Sequence, residues 1–359
     1  MLKKFLQLAA IGSAIAVGCG VSGTAEAIPF SSVSQVYFFG DSLSDSGFND
    51  LWTIPAPLPV GKAPTFTTFA GYTWSQYIAR DVKGFALPVY PGPTPADTIT
   101  NNAIYAGGTG PSPSQFFVSG LKTGVDYAAG GSLTSSTTGL GETWAPPLTS
   151  QISYYLSSHN YQADPNAIYF VWSGANDILT LLNSNTATQL QLLITSQAAA
   201  QTIANQVALL AQWGAKRIVV LSLPNIGYTP LIGGAALQTN TPTLPATFKT
   251  VTFTFNSMLN SALGQVQHLY PSLKMIYVDV YDLLDNVILA TKAGQAFTIG
   301  GQSFPFVNYT SPACSLVTTS IYCYNGAPNN YVFADTLHPT NMAHHVLALD
   351  VELLIQNWQ

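Results

Sequence analysis

Short, unbroken apolar runs rich in β-branched and aromatic residues recur along the chain at 35–39, 125–128, 167–172, 217–221 and 274–278. Runs of this length and composition suit strands buried on both faces. Between them lie stretches in which apolar residues return at helical spacing: 72–80, 147–157, 189–213, 247–270 and 341–359. Gly214 stands directly after the longest of the Ala- and Leu-rich stretches, where a helix stop is expected. Strand–helix alternation predicts an α/β fold, with helices on both faces of a central, mostly parallel five-stranded sheet: three layers, α/β/α.

The first strand ends in Gly40-Asp41-Ser42-Leu43-Ser44-Asp45-Ser46-Gly47. Such a turn lifts Ser42 off the carboxyl end of the sheet, where ligands of open α/β folds sit. By itself Gly-Asp-Ser also suits a plain turn. A serine nucleophile needs a base whose imidazole is oriented by a carboxylate, and Asp335-Thr336-Leu337-His338-Pro339 carries both on one loop. Pro339 restricts His338 to extended backbone just before the last helix. A third block, Gly174-Ala175-Asn176-Asp177, follows the 167–172 run. Its Asn amide can donate to a developing oxyanion, although Asn and Asp there also suit helix caps. A fourth, Asp126-Tyr127-Ala128-Ala129-Gly130-Gly131-Ser132, offers backbone N–H groups unobstructed by a Cβ.

In this order the four blocks resemble the GDSL family of the SGNH hydrolases, over roughly residues 34 to 357. The resemblance implies a flavodoxin-like sheet and a serine ester hydrolase needing no cofactor. It assigns Ser42 as nucleophile, His338 as base and Asp335 as its orienting carboxylate. It also implies an oxyanion hole made of the Ser42 and Gly131 N–H groups and the Asn176 side chain, with Gly130 as the other candidate donor. Asp41, next to the nucleophile, is expected to cap or brace the turn, and Trp172 to be core.

The N-terminus changes where the chain is expected to act. Lys3 and Lys4, an apolar stretch from Phe5 to Val17, and Ala25-Glu26-Ala27 read as a secretory signal, cleaved after Ala27. Residues 28–359 then form one domain. Cys19 allows a lipoprotein reading, weakened because no Leu stands three positions before it. After cleavage Cys314 and Cys323 remain, and two nearby cysteines in an exported chain are expected to pair.

Charged residues make up only 8% of the chain, with a net charge of −5. Without a basic run or stripe, nucleic acid is not an expected partner. A monomer is expected, touching membrane surfaces at most transiently. His344 and His345 face different directions on a helix, so a metal site with His338 is not expected.

Three long loops, 48–70, 87–120 and 290–333, are rich in aromatic residues and adjoin the blocks. They are expected to wall the cleft, the alternative being satellite cores. The segment between Cys314 and Cys323 is expected to act as a lid or interfacial contact, or else as a remote staple. The eight-residue block after Phe39, in a secreted protein of this size, resembles lysophospholipases and glycerophospholipid–cholesterol acyltransferases. Carbohydrate O-acetyl esterases share the same blocks and remain the alternative. A non-catalytic binding module on a hydrolase fold is the remaining reading.

Overall fold

The computed structural model describes residues 30–46, 66–68, 71–85, 125–136, 145–183, 188–314 and 327–358. The signal segment, Cys19, Cys323, most of the 48–70 loop and all of the 87–120 loop lie outside them.

A parallel sheet of four strands runs β1 (Val36–Gly40), β2 (Ile168–Trp172), β3 (Arg217–Leu221) and β4 (Lys274–Val278), each hydrogen-bonded to the next. The expected fifth strand at 125–128 is reduced to a single parallel bridge, Phe38 to Asp126. Phe38 N–H donates to Val125 O at 3.0 Å, Tyr127 N–H to Phe38 O at 2.8 Å and Ala129 N–H to Gly40 O at 3.1 Å. The segment therefore flanks β1 on its outer side, in the spatial order of flavodoxin-like sheets. It stays short because the ladder breaks at Gly40, whose N–H is taken by the Gln151 side chain.

The pleat sends alternate residues to opposite faces. Phe39, Tyr169, Val171, Ile218 and Val220 pack on one side against α2 (Leu148–Ser158), α4 (Gln189–Gln212) and α6 (Leu244–Leu269). Phe38, Ile168, Phe170, Trp172, Val219 and Leu221 pack on the other against α1 (Trp74–Lys83) and α8 (Asn341–Gln356). β1, β2 and β3 are buried on both faces, which is why their sequences are continuously apolar, while the edge strand β4 is only partly covered.

Three helices were not expected: α3 (Ala175–Leu179), α5 (Pro230–Gln238) and α7 (Val280–Lys292), the last of them amphipathic. α3 is only one turn and a half long, and α5 is apolar nearly all round. The 290–333 segment is not wholly a loop. It holds the end of α7 and an antiparallel hairpin, β5 (Phe297–Ile299) and β6 (Gln302–Phe304). Its Phe304 and Phe306 fill a satellite core with Val287, Val332, Phe333 and Val346, and Val332 and Phe333 of the same segment line the pocket at the carboxyl edge of the sheet.

Candidate active site

Gly40 closes β1 with φ 153°. A Cβ built there would lie 1.9 Å from the Trp172 carbonyl oxygen on β2, so only glycine fits. The chain then turns tightly: Ser44 and Asp45 N–H donate to Asp41 O at 3.1 and 3.0 Å, and Leu43 N–H donates to Asp41 Oδ1 at 3.0 Å. Asp41 braces the turn as expected, and it also lines the adjoining pocket. Its Oδ2 is buried and unpartnered, and burial pushes the carboxyl up to about 7.

Ser42 Oγ lies 2.8 Å from His338 Nε2, and His338 Nδ1 lies 2.8 Å from Asp335 Oδ2. All three residues are nearly fully buried. Asp335 Oδ1 accepts the Leu337 and His338 N–H groups at 2.6 and 2.8 Å, so the carboxylate organises its own loop as well as the imidazole. Ala334 N–H donates to His338 O at 2.8 Å and closes that loop. Thr340 then caps α8: its Oγ1 accepts from Ala343 N–H and donates to Tyr331 O. The spacing of Asp335 and His338 on one loop thus brings both side chains to Ser42 from the far end of the sequence.

The Gly-Gly block folds into a turn with Ser132 N–H donating to Ala129 O at 3.1 Å, and Gly131 takes φ 80° at its third position. Gly130 N–H is held by Asp45 Oδ2 at 2.7 Å. Among the described residues no hydrogen bond uses the N–H of Ser42 or of Gly131, while those of Leu43, Gly130 and Ser132 are engaged. Asn176 Nδ2 donates to Ser132 O at 2.9 Å. Asp177 accepts from Thr134 N–H at 3.0 Å and Thr134 Oγ1 at 2.7 Å, anchoring the same block to α3. Burial pushes Asp177 up to about 6.

A pocket enclosing about 820 Å³, counting its open mouth, begins at Asp41, Ser42 and Asn176. Its far walls are aliphatic and aromatic: Ile226, Leu283, Leu284, Val287, Phe333 and Val346. Trp172, read as core, is both: 2% exposed, and part of the pocket floor.

Three contributors were not singled out in the sequence. Gln151 and Asp45 hold Gly40 and Gly130. His344, weighed only as a metal ligand, accepts from Trp74 N–H through Nδ1 and donates to Phe66 O through Nε2, both at 3.2 Å. Gln151 left a signal: a lone amide in the apolar stripe Leu148, Ile152, Tyr155. Among the described residues no group of three or more His, Cys, Asp or Glu is placed to hold a metal ion. Cys314 is buried beside Ala334, with its N–H donating to Ala334 O at 2.9 Å.

The family profile of the GDSL-like lipase/acylhydrolases matches residues 36–351. The chain belongs to that family. It is 26% identical over 351 residues to the GDSL esterase/lipase EXL2 of Arabidopsis thaliana, covering 89% of this chain and 87% of that protein. It is 29% identical over 347 residues to Esterase EstA of Pseudomonas aeruginosa, covering 91% of this chain and 47% of that protein. A Pseudomonas putida protein described as an uncharacterized protein in the trpE-trpG intergenic region is 28% identical over 332 residues, 88% of this chain and 47% of that protein. The chain spans about half the length of these bacterial relatives.

Proposed function

We propose that this chain is a serine ester hydrolase acting on lipid esters. The observation that carries the reading is the continuous hydrogen-bonded line from Ser42 Oγ through His338 to Asp335, at 2.8 Å on both sides of the imidazole. Ser42 Oγ attacks the ester carbonyl while His338 Nε2 takes its proton. The tetrahedral oxyanion is held by Ser42 N–H, Gly131 N–H and Asn176 Nδ2. Collapse expels the alcohol, protonated by His338, and leaves an acyl-Ser42. Water, or a second alcohol in acyl transfer, then attacks with His338 again as base, and free Ser42 returns. Gly131 is favoured over Gly130 because the Gly130 N–H already serves Asp45.

A lipid is favoured over an acetylated sugar because the pocket beside Ser42 runs on from the serine along the apolar side chains of Leu283, Leu284, Val287 and Phe333. Such a lining gains free energy by covering an acyl chain and offers few polar groups to a sugar. Turnover of p-nitrophenyl esters from acetyl to palmitoyl tests this: rising kcat/KM with chain length supports a lipid, and restriction to acetyl overturns it in favour of the carbohydrate reading. Assays on lysophospholipid, with and without an acyl acceptor, then separate lysophospholipase from acyltransferase. No turnover at all would leave a binding module.

We read the chain as exported, with cleavage after Ala27, and Cys314 as paired with Cys323. Cys314 is disulfide-bonded, which supports the pairing. Its ties to Ala334 put one end of the segment next to Asp335. Reduction should therefore lower activity on long-chain lipid more than on a small ester; equal effects leave only a staple. N-terminal sequencing of protein from the medium or periplasm tests the export.

A further inference from the structure

Gln151 of α2 is fully buried, and its carboxamide behaves as a substitute peptide group. Oε1 accepts the Gly40 N–H at 2.8 Å, and Nε2 donates to Gly40 O at 2.8 Å. Nε2 also faces Ser132 Oγ at 3.1 Å and Pro146 O at 2.9 Å. The orientation of the amide follows from chemistry: the only donor that must be answered is Gly40 N–H, and three acceptors surround the opposite atom. In the ladder outside β1, Phe38 pairs with Val125 and Tyr127. A peptide carbonyl is the normal acceptor for the next N–H, at Gly40, and Gln151 stands in its place.

One rigid amide therefore grips two segments. The first is Gly40, two residues before Ser42. The second is Ser132, directly after Gly131, whose carbonyl also receives Asn176 Nδ2 at 2.9 Å. The three donors assigned to the oxyanion come from three separate segments, and the Gln151–Ser132 pair is their common frame. Displacements of about 1 Å in such a constellation cost about 10²-fold in rate.

We propose that Gln151 is a positioning residue for ester hydrolysis, whose carboxamide sets the separation between the Ser42 and Gly131 N–H groups. It acts through those donors and touches no reacting atom. The proposal deepens the serine hydrolase reading and rests on it.

The test compares wild type with Gln151→Glu, Gln151→Met and Ser132→Ala, using p-nitrophenyl butyrate. Active sites are counted with a fluorophosphonate that labels Ser42, so that misfolded protein does not enter kcat. Glu keeps the size of the side chain but, when ionised, has no hydrogen to donate and sets a negative oxygen against Gly40 O. Met removes every hydrogen bond. Ser132→Ala removes one partner and leaves the grip on Gly40. Expected results are a fall in kcat per labelled site of about 10- to 100-fold for the Gln151 variants, with KM within about threefold. The inhibition constant of an alkylboronic acid, which forms a tetrahedral adduct on serine, should rise by the same factor. Ser132→Ala should lower kcat by about 2- to 10-fold. Combination of Gln151→Glu with Asn176→Ala should cost less than the product of the single effects, because both act through one hole.

A purely structural role would lower the melting temperature and the labelled fraction, yet leave per-site kcat and boronate inhibition within about threefold of wild type. That result overturns the proposal. If neither Gln151 variant folds, Ser132→Ala decides: unchanged per-site kcat overturns the proposal, and a drop matched by weaker boronate inhibition supports it. Wild-type protein that neither turns over esters nor takes the label overturns the hydrolase reading itself, and the positioning role with it; that failure is seen in the wild type and not in the variants.

Discussion

The Phe66 ring rests on the His338 imidazole, with 4.7 Å between ring centroids at an angle of 41°. This contact is held from behind by His344, which donates to Phe66 O, and by Thr68, whose Oγ1 accepts Asn341 N–H at 2.9 Å. The start of α8 thus fixes the wall that packs on the base. His344 is fully buried, and desolvation pushes it down to about 3. The folded state keeps it neutral, while the unfolded chain binds a proton below about 6.5. The stability it supports is therefore complete above that pH and is lost as pH falls from about 6.5 toward about 3, by at most about 1.4 kcal/mol per pH unit. Melting temperatures from pH 7 to 4 should fall more steeply for wild type than for His344→Gln. Parallel curves would contradict the assignment.

Asp335 makes three hydrogen bonds, two of them to its own loop, so loss of its charge should disorient His338 without emptying the site. Asp335→Asn should lower kcat by about 10³- to 10⁴-fold with little change in KM. Ser42→Ala should abolish turnover and leave the melting temperature nearly unchanged. A dominant KM effect in Asp335→Asn would mean that the loop positions substrate instead.

Asn176 reaches Ser132 O with its amide and lines the pocket beside Ser42. Asn176→Ala should lower kcat by about 10²- to 10³-fold with KM nearly constant. Steady-state kinetics on a soluble ester would show this, and a drop confined to KM would remove Asn176 from the oxyanion hole.

The sheet was legible because β1, β2 and β3 are buried on both faces and read as continuous apolar runs, and the partly covered β4 keeps the same short run of Met275, Ile276, Tyr277 and Val278; β3 and β4 fall at the expected residues. Ser42, Asp335, His338 and Asn176 were legible because each stands where an apolar run breaks or a helix starts. The fifth strand was overread, since an apolar run does not reveal that Gln151 will capture the N–H at the end of its partner. The pocket was hidden for a related reason. Its lining comes from α7, the loop after β3 and the 332–339 segment, which are distant in sequence and individually unremarkable. Supporting residues such as Gln151, Asp45 and His344 act on backbone atoms, so the sequence can mark the polar side chain, as it does for Gln151 in its apolar stripe, without naming its partner.

Leu284 and Val287 line the pocket from one face of α7. A larger ring at either position should fill the space that an acyl chain would occupy. Leu284→Trp is expected to move the preferred p-nitrophenyl ester to a shorter chain and to lower kcat/KM for palmitoyl about tenfold or more, since each buried methylene is worth about 0.8 kcal/mol. Butyryl turnover should change little. An equal loss on both esters would place the acyl chain elsewhere.

Asp41 gives the opposite pH signature to His344. Burial raises its carboxyl to about 7, so the folded protein holds a proton that the unfolded chain releases near pH 4. The stabilisation from that proton is complete below about pH 4. It is lost as pH rises through about 7, where the carboxylate must ionise with Oδ2 unpartnered. Asp41→Asn cannot ionise, and its remaining oxygen can still accept the Leu43 N–H. Relative to wild type, the variant should therefore gain stability steadily between pH 4 and 7 and hold a constant difference above that. Denaturant midpoints at three pH values would measure the gain. A difference that does not change with pH would mean that Asp41 ionises in the fold as it does in the unfolded chain.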